Sequence, residues 1–398
     1  MKIKITWFRH THENRNDLLR FGFMRLHYGG EIDYVEKELK DAFDFGFDQS
    51  VRSHPDLRHL SFIGVTCGKT KVRCIVDNED SFALVSPLME FADVYFCAGY
   101  NADFFEKKQF VDTYSWQKES DVTWYRDTIE KKIISLGKHF HKVKRFIPIA
   151  PFPGSPVQAS ALKQKYKNIE HRLNKLTGKG TCFSDVYKGF ETRESMMDDL
   201  RNHEMLYDIV LNDSLWGWPR HRLNLHTRLR ELQQRNYRIH SVLNWTQPVE
   251  HDGSNTDPLN SSLFPYRTEP IMDYEQMLAK SRLAVFACGF HWGWRNIMML
   301  ALRTGIPVLT DRLLTEPYFD MTEFHLYQQE DHQWHSIEPT LNSIDSNGWE
   351  KIKKQNQSVY DKYMSPEAVA NYFLQSTEVI PYPHEYITSN KNKWKNPT

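Results

Sequence analysis

The chain has 398 residues, 51 lysines and arginines against 51 aspartates and glutamates, and 40% hydrophobic residues. That length suits two domains better than one, and the apolar and charged fractions are those of a globular protein. A formal charge of zero gives no global field that would select nucleic acid, and no apolar run approaches the roughly 18 residues of a membrane span.

The start, MKIKITWFRH, lacks the apolar centre of a secretory signal and reads as a first strand, IKITWF over 3–8. The expectation is a cytoplasmic protein. Its five cysteines (Cys67, Cys74, Cys97, Cys182, Cys288) lie mostly in apolar runs without a CxxC pair, as reduced buried thiols do. KVRCIV (71–76) is a second strand, followed by the polar DNEDS and a helix-like FALVSPLMEFA. DVYFCA (93–98) is again a strand, VTWYRDTIEKKIISLGKHF a helix, and RFIPIA (145–150) a strand. Strands alternating with helices imply parallel β-α-β units.

PFPGSP (151–156) interrupts this, because three prolines and a glycine continue neither a helix nor a central strand. A long polar helix, VQASALKQKYKNIEHRLNKLTG (157–178), is expected after it. The junction placed here gives an N-terminal domain over 1–155, a C-terminal domain over 156–365 and a helical tail over 366–398 that can pack back on the first domain. In the second half GTCFSDVYKG (180–189) reads as strand and loop, and RESMMDDLRNHEMLYDIVLND as a helix. RLNLHTRLRELQQRN (222–236) is an amphipathic helix, YRIHSVLNW (237–245) a strand and DYEQMLAKS a helix. RLAVFAC (282–288) is a strand, GWRNIMMLALRTG a helix closed by Gly305, and IPVLTD (306–311) a strand. The fold class expected is α/β, with two Rossmann-like domains facing across a cleft and a C-terminal helical tail. Basic runs at 138–145 and 390–396 read as solvated surface, or as weak peripheral attraction to the inner face of an anionic membrane.

In open parallel α/β sheets, ligands bind outside the carboxyl ends of the strands. The turn GFHWGWRN (289–296), between LAVFAC and IMMLALRTG, is at such an end. Two readings stand side by side. In one, Gly289 and Gly293 let backbone approach a ligand, the helix N–H groups with His291 and Arg295 take a phosphate, and Trp292 or Trp294 stacks on a ring. In the other, the aromatics plug a gap between domains and Arg295 pairs with a carboxylate. The following helix is apolar nearly all round and therefore buried, and a buried helix that starts at a cleft favours the first reading.

The run DYEQMLAKSRLAVFACGFHWGWRNIMMLALRTGIPVLTDRLLTEPYFDM (273–321) resembles the donor-binding half of GT-B-type glycosyltransferases, in an exostosin-like pattern. The elements that carry the resemblance are Tyr274, Leu278 and Ser281, then Gly289, Trp294 and Arg295, then Gly305, Pro307, Val308, Asp311, Pro317 and Phe319. The resemblance implies transfer of a sugar from a nucleotide-sugar donor to a glycan or polysaccharide acceptor. No metal and no cofactor beyond the donor would be needed. Residues Gly289 to Asn296 would face the donor phosphates and sugar, and Asp311 would lie at the end of the next strand. Many members carry a glutamate about five residues before the GxPV glycine, on the ribose. Leu300 stands there in this chain, leaving Asn296, Asp311 and Glu316 as substitutes.

Transfer also needs charge stabilisation and a base. Lys188, after TCFSDVY, and Arg220, within WGWPRHR (216–222), are cations expected near the cleft to stabilise a departing diphosphate. Base candidates come from FRHTHENR (His12, Glu13) and from DNEDS (Asp77, with Glu79 and Asp80 beside it). These acids and histidines also serve turns and helix caps. His10 and His12 with Glu13 could begin a metal site, but no second cluster has metal spacing, so no metal is expected. Two rivals remain. A non-catalytic carbohydrate- or nucleotide-binding protein on the same scaffold fits the 14% aromatic content and Leu300. A dinucleotide enzyme does not fit, because no GxGxxG follows the first strand.

Overall fold

The computed structural model describes residues 3–10, 15–111, 113–117, 119–147, 183–214, 218–244, 269–289 and 292–379, with isolated positions at 166, 169 and 173. His12, Glu13, His291, Cys182, the PFPGSP stretch and the 390–396 run lie outside the described residues, as does nearly all of the 157–178 helix.

The first half is a six-stranded sheet of β1 (Ile3–Arg9), β2 (Ile32–Glu38), β3 (Leu60–Cys67), β4 (Thr70–Asp77), β5 (Val94–Cys97) and β6 (Val143–Arg145). Its spatial order is β2-β1-β3-β4-β5-β6. β1 pairs parallel with β2, and β4, β5 and β6 run parallel in turn, while β3 is antiparallel to both β1 and β4. The sheet is therefore mixed, not built of parallel units alone. β3 and β4 form a hairpin whose turn uses Gly68 at φ 60. The stretch FALVSPLMEFA is two 3₁₀ turns (Phe82–Leu84 and Pro87–Phe91), since Pro87 cannot continue a helix and Ser86 caps the second turn through Leu88 N. Helix α1 (Asp17–Tyr28) links β1 to β2, and α2 (Glu119–Leu136) precedes β6.

The second half has two parallel ladders, β7 (Ile209–Ser214) with β8 (Ile239–Asn244), and β9 (Ala284–Phe286), β10 (Val308–Asp311) and β11 (Leu326–Gln329) in the order β11-β10-β9. They join where Tyr207 pairs with Ser281, with Arg282 N donating to Tyr207 O and Leu283 N to Asp208 O. The strands thus lie as β8-β7-β9-β10-β11, and the winding reverses between β7 and β9. Such a reversal opens a crevice at the carboxyl ends.

Two expectations fail here. Ser184–Asp199 is a helix, α3, where a strand and loop were read, so Lys188 lies exposed on a helix and not at a strand end. The stretch read as one long helix stops near Asp199, and DIVLND instead supplies β7, whose Ile209, Val210 and Leu211 are buried on both faces as a central parallel strand requires.

Further helices include α4 (Pro219–Gln234), α5 (Tyr274–Leu278), α6 (Asn296–Thr304), α7 (Ser346–Met364) and α8 (Pro366–Ser376). α6 buries every residue from Met298 to Thr304 and ends at Gly305 with φ 97, a left-handed C-cap. α8 lies on α1 in the first half. A Cβ on Gly22 would stand 2.0 Å from Pro366 O, Phe373 stacks 4.5 Å from Phe96, and Arg25 Nη1 donates to Glu367 at 2.9 Å. α3 bridges the halves: Phe190 packs on Phe21, while Asp198 accepts from Arg303 of α6 at 2.7 Å. One hydrophobic cluster runs through both halves. No helix among the described residues is long and apolar enough to cross a membrane.

Candidate functional site

The turn after β9 is tied down on all sides. Gly289 N donates to Gly293 O at 2.8 Å, and Trp292, at φ 66, passes its carbonyl to Leu314 N at 3.2 Å. The Trp292 ring is fully buried between the halves, 5.8 Å from Phe82, 4.1 Å from Tyr125 and 6.3 Å from Trp218, and its Nε1 donates to Gln117 Oε1 at 3.2 Å. Trp294 is buried with its edge toward Phe319. Neither indole presents an open face for a base or sugar in this conformation. The glycines serve close approach of protein to protein: a Cβ on Gly293 would lie 2.3 Å from Asp80 O, and one on Gly289 would lie 3.0 Å from Asp80 Oδ2.

Beside this plug, a polar network crosses the carboxyl ends of the second sheet. Asp213, fully buried at the end of β7, accepts from Arg222 Nη1 at 2.6 Å and from Arg295 Nη2 at 3.0 Å. Burial alone would raise its pKa, but the two guanidinium groups hold it well below the usual carboxylate range. Arg222, in the first turn of α4, also donates to Cys288 O at 3.3 Å, and Cys288 N donates to Asp311 Oδ2 at 2.9 Å. Asp311, fully buried at the end of β10, further accepts from Gln329 Nε2 at 2.7 Å and meets His221 Nε2 at 2.8 Å. His221 Nδ1 lies 2.9 Å from Nδ1 of His332, which is half-buried in the turn after β11. His226, one turn below Arg222, has its pKa pushed down to about 4 by burial, and its Nδ1 meets Ser241 Oγ at 2.6 Å. Arg295 Nη1 is buried with no hydrogen-bond partner among the described residues, and Asn296 is exposed at the helix start.

The first half brings acids to the other side of the plug. Asp77 is sealed: Oδ1 accepts from Glu79 N at 3.0 Å, and Oδ2 from Ser86 N at 3.3 Å and from the Tyr95 hydroxyl. It holds the loop after β4, and that enclosure removes it from the role of base. Glu79 and Asp80 are hydrogen-bonded to one another. Burial, then the Asp80 charge, raises Glu79 well above the usual range, so Glu79 keeps the proton and Asp80 accepts it. His59 Nε2 meets Glu79 Oε2 at 3.2 Å, and burial followed by Arg15 lowers the His59 pKa to about 4. Asn78 is fully buried with neither side-chain atom hydrogen-bonded among the described residues. The FRHTHENR and DNEDS clusters are thus neighbours, as the Arg15 field on Glu79 and Asp80 records.

Of the residues singled out in the sequence, Gly289, Trp292, Gly293, Trp294, Arg295 and Asp311 fall at the carboxyl ends of the second sheet, and Arg220 is exposed in the first turn of α4. Lys188 does not fall at those ends. The 138–145 run is largely committed, with Lys142 Nζ donating to Glu90 O and Arg145 pairing with Glu316. The residues sequence reasoning missed are Asp213, His332 and Trp116, whereas Arg222 stands in the WGWPRHR run of cations that the sequence singles out. Asp213 carried one usable signal, an acid at a strand end followed by that cation in the next helix turn.

No family model matches the chain, and no curated protein matches it. Among solved structures the chain is similar to the N-terminal domain of trehalose-6-phosphate phosphatase from Candida albicans, at 10% identity and a TM-score of 0.29, over 48% of this chain and 45% of that one. The chain therefore spans less than half the length of that structure.

Proposed function

We propose that the chain is a metal-independent, GT-B-type glycosyltransferase that moves a sugar from a nucleotide-sugar to a glycan or polysaccharide acceptor. The observation that carries this reading is the pair of guanidinium groups at the carboxyl ends of β7 and β9, where the strand order reverses. Two helices begin there with Arg222 and Arg295 on either side of Asp213. Helix N-termini and paired guanidinium groups are the chemistry that holds a diphosphate and stabilises it as it leaves. The Glu79–Asp80 pair, contributed by the other half against Gly289 and Gly293, supplies titratable carboxyls on the facing side. The donor would occupy the carboxyl edge of the second sheet and the acceptor the edge of the first.

A thermal-shift screen of UDP, GDP and CDP tests the reading, because a ligand that binds only the folded state raises Tm by mass action. One diphosphate is expected to stabilise the protein, and Arg295→Ala to abolish that shift while leaving the unliganded Tm within a few degrees. Transfer from the matching nucleotide-sugar should follow. Stabilisation without transfer to any acceptor would support a non-catalytic binding protein, and no stabilisation by any diphosphate would refute the donor site.

A further inference from the structure

The Asp311–His221–His332 chain has no part in binding a diphosphate, and its contacts favour one arrangement of protons. Asp311 already accepts N–H bonds from Cys288 and Gln329, and a carboxylate has no proton to give, so the 2.8 Å contact requires His221 Nε2 to be the donor. A singly protonated His221 then carries a lone pair on Nδ1. The 2.9 Å contact between the two Nδ1 atoms needs one hydrogen, which must sit on His332. That leaves the lone pair of His332 on Nε2, an atom engaged by neither of its hydrogen bonds, Nδ1 with His221 and O from Asn224. The backbone holds this arrangement: Asn224 Nδ2 donates to His332 O at 3.2 Å and Trp334 Nε1 to His221 O at 3.3 Å.

The surroundings suit a positive charge that appears transiently. Trp116 lies flat on both imidazoles, 4.3 Å from His221 and 5.2 Å from His332, and Trp334 covers His221 at 4.9 Å. Indole faces stabilise a cation. Burial and the neighbouring His221 keep the His332 pKa low, at about 4, so its lone pair is free at neutral pH. A second observation points to a ligand here. Trp116 Nε1 and Gln117 Nε2, on the segment that closes over the pair, are buried donors with no acceptor among the described residues. Buried donors are rarely left unpaired in a complete site.

We propose that His332 Nε2 is a proton acceptor for a ligand hydroxyl bound at the ring edge of His332, beside Trp116, with His221 and Asp311 as positioning residues. The hydroxyl O–H bond breaks, its proton passes to His332 Nε2, and the electron pair stays on oxygen. The Nδ1 proton of His332 moves to His221 Nδ1, leaving His221 doubly protonated against Asp311. That the hydroxyl belongs to the sugar acceptor, whose oxygen then bonds to the anomeric carbon as the diphosphate departs, rests on the transfer reaction proposed above. The relay itself does not.

The test is long-range ¹⁵N–¹H spectroscopy of the full chain labelled at histidine, with His221 and His332 assigned through His221→Gln and His332→Gln. The expected spectrum has His221 protonated at Nε2 and His332 at Nδ1. Asp311→Asn should reverse both, because an amide can donate to His221 Nε2. A wild-type spectrum with His221 protonated at Nδ1 overturns the relay. In transfer assays His332→Gln should lower kcat by about 10²–10⁴-fold with the nucleotide thermal shift unchanged. Transfer by His332→Gln at the wild-type rate overturns the proposal. If the wild-type protein transfers to no acceptor, the transfer reading fails on its own and the tautomers alone decide the relay.

Discussion

Gly293→Ala separates two uses of the glycine in the 289–296 turn. The added Cβ would lie 2.3 Å from Asp80 O, 2.8 Å from Asp80 Cβ and 3.1 Å from Asp80 C. These atoms are mainly backbone or near it, so no flexible side chain can swing away, and the two halves must part by roughly 1 Å at this point. Overpacking against a fixed neighbour costs about 3 kcal/mol, the upper end of its usual range. At about 2 °C per kcal/mol for a unit of this size, Tm should fall by about 6 °C. Urea unfolding and calorimetry measure both quantities. Gly137→Ala is the control, because its Cβ would meet nothing nearer than Lys108 Cε at 3.7 Å and should change stability by less than about 0.5 kcal/mol. If Gly293→Ala keeps wild-type stability and instead loses ligand binding, the glycine serves a ligand and the packing argument is wrong.

Asp213→Asn should destabilise far more than Arg295→Ala. The first leaves two cations without a counter-charge in a buried site, at a cost of about 3–5 kcal/mol, whereas the second leaves Asp213 bidentate with Arg222 and should cost about 1 kcal/mol by chemical denaturation. Asp80 has its pKa raised by burial from 3.8 to about 6, so the stability tied to its proton is complete below about pH 4 and is lost as pH rises through 6. Asp80→Asn should therefore gain on the wild-type protein by about 2 kcal/mol between pH 4 and pH 7, and parallel stability curves would rule this out. Gly22→Ala, whose Cβ would meet Pro366 O at 2.0 Å, should lift α8 from α1 and speed amide exchange across 366–376 before global unfolding.

The stretch 282–311 was legible because local rules agree there: an apolar strand, a helix closed by Gly305, and a second apolar strand. β2 was not, although IDYVEKE alternates buried and half-buried positions. One of its buried positions is Glu36, which is stabilised in the core by a bidentate bond from Arg20 at 2.6 and 2.8 Å, and nothing in the sequence joins the two. The same limit governs the site. A carboxylate partner for Arg295 was one of the two readings, but its identity, Asp213, lies 82 residues away. Spacing also could not rank the acids of DNEDS. Asp77 spends an oxygen on the N–H two residues on, the ordinary turn role of an aspartate, and only the fold shows that Asp80 faces the glycines.

The fold also narrows the ribose question. Leu300, where a glutamate would sit in the pattern the sequence resembles, is 3% exposed, so an acid there would be buried in the core of α6. Of the three substitutes, Asp311 is committed to Cys288, Gln329 and His221. Glu316 is committed to Arg145 at 2.8 Å and Ala102 N at 2.9 Å, where it clasps the two halves. Asn296 is exposed at the start of α6. If a nucleotide binds at the carboxyl ends of β7 and β9, Asn296 is the substitute open to its ribose. Asn296→Ala should then weaken nucleoside diphosphate binding by about 1 kcal/mol, roughly fivefold, by calorimetric titration, with Tm unchanged. Glu316→Ala should lower Tm and leave the affinity of the folded protein intact. A reversal of these two results would return the ribose contact to Glu316 and make the clasp incidental.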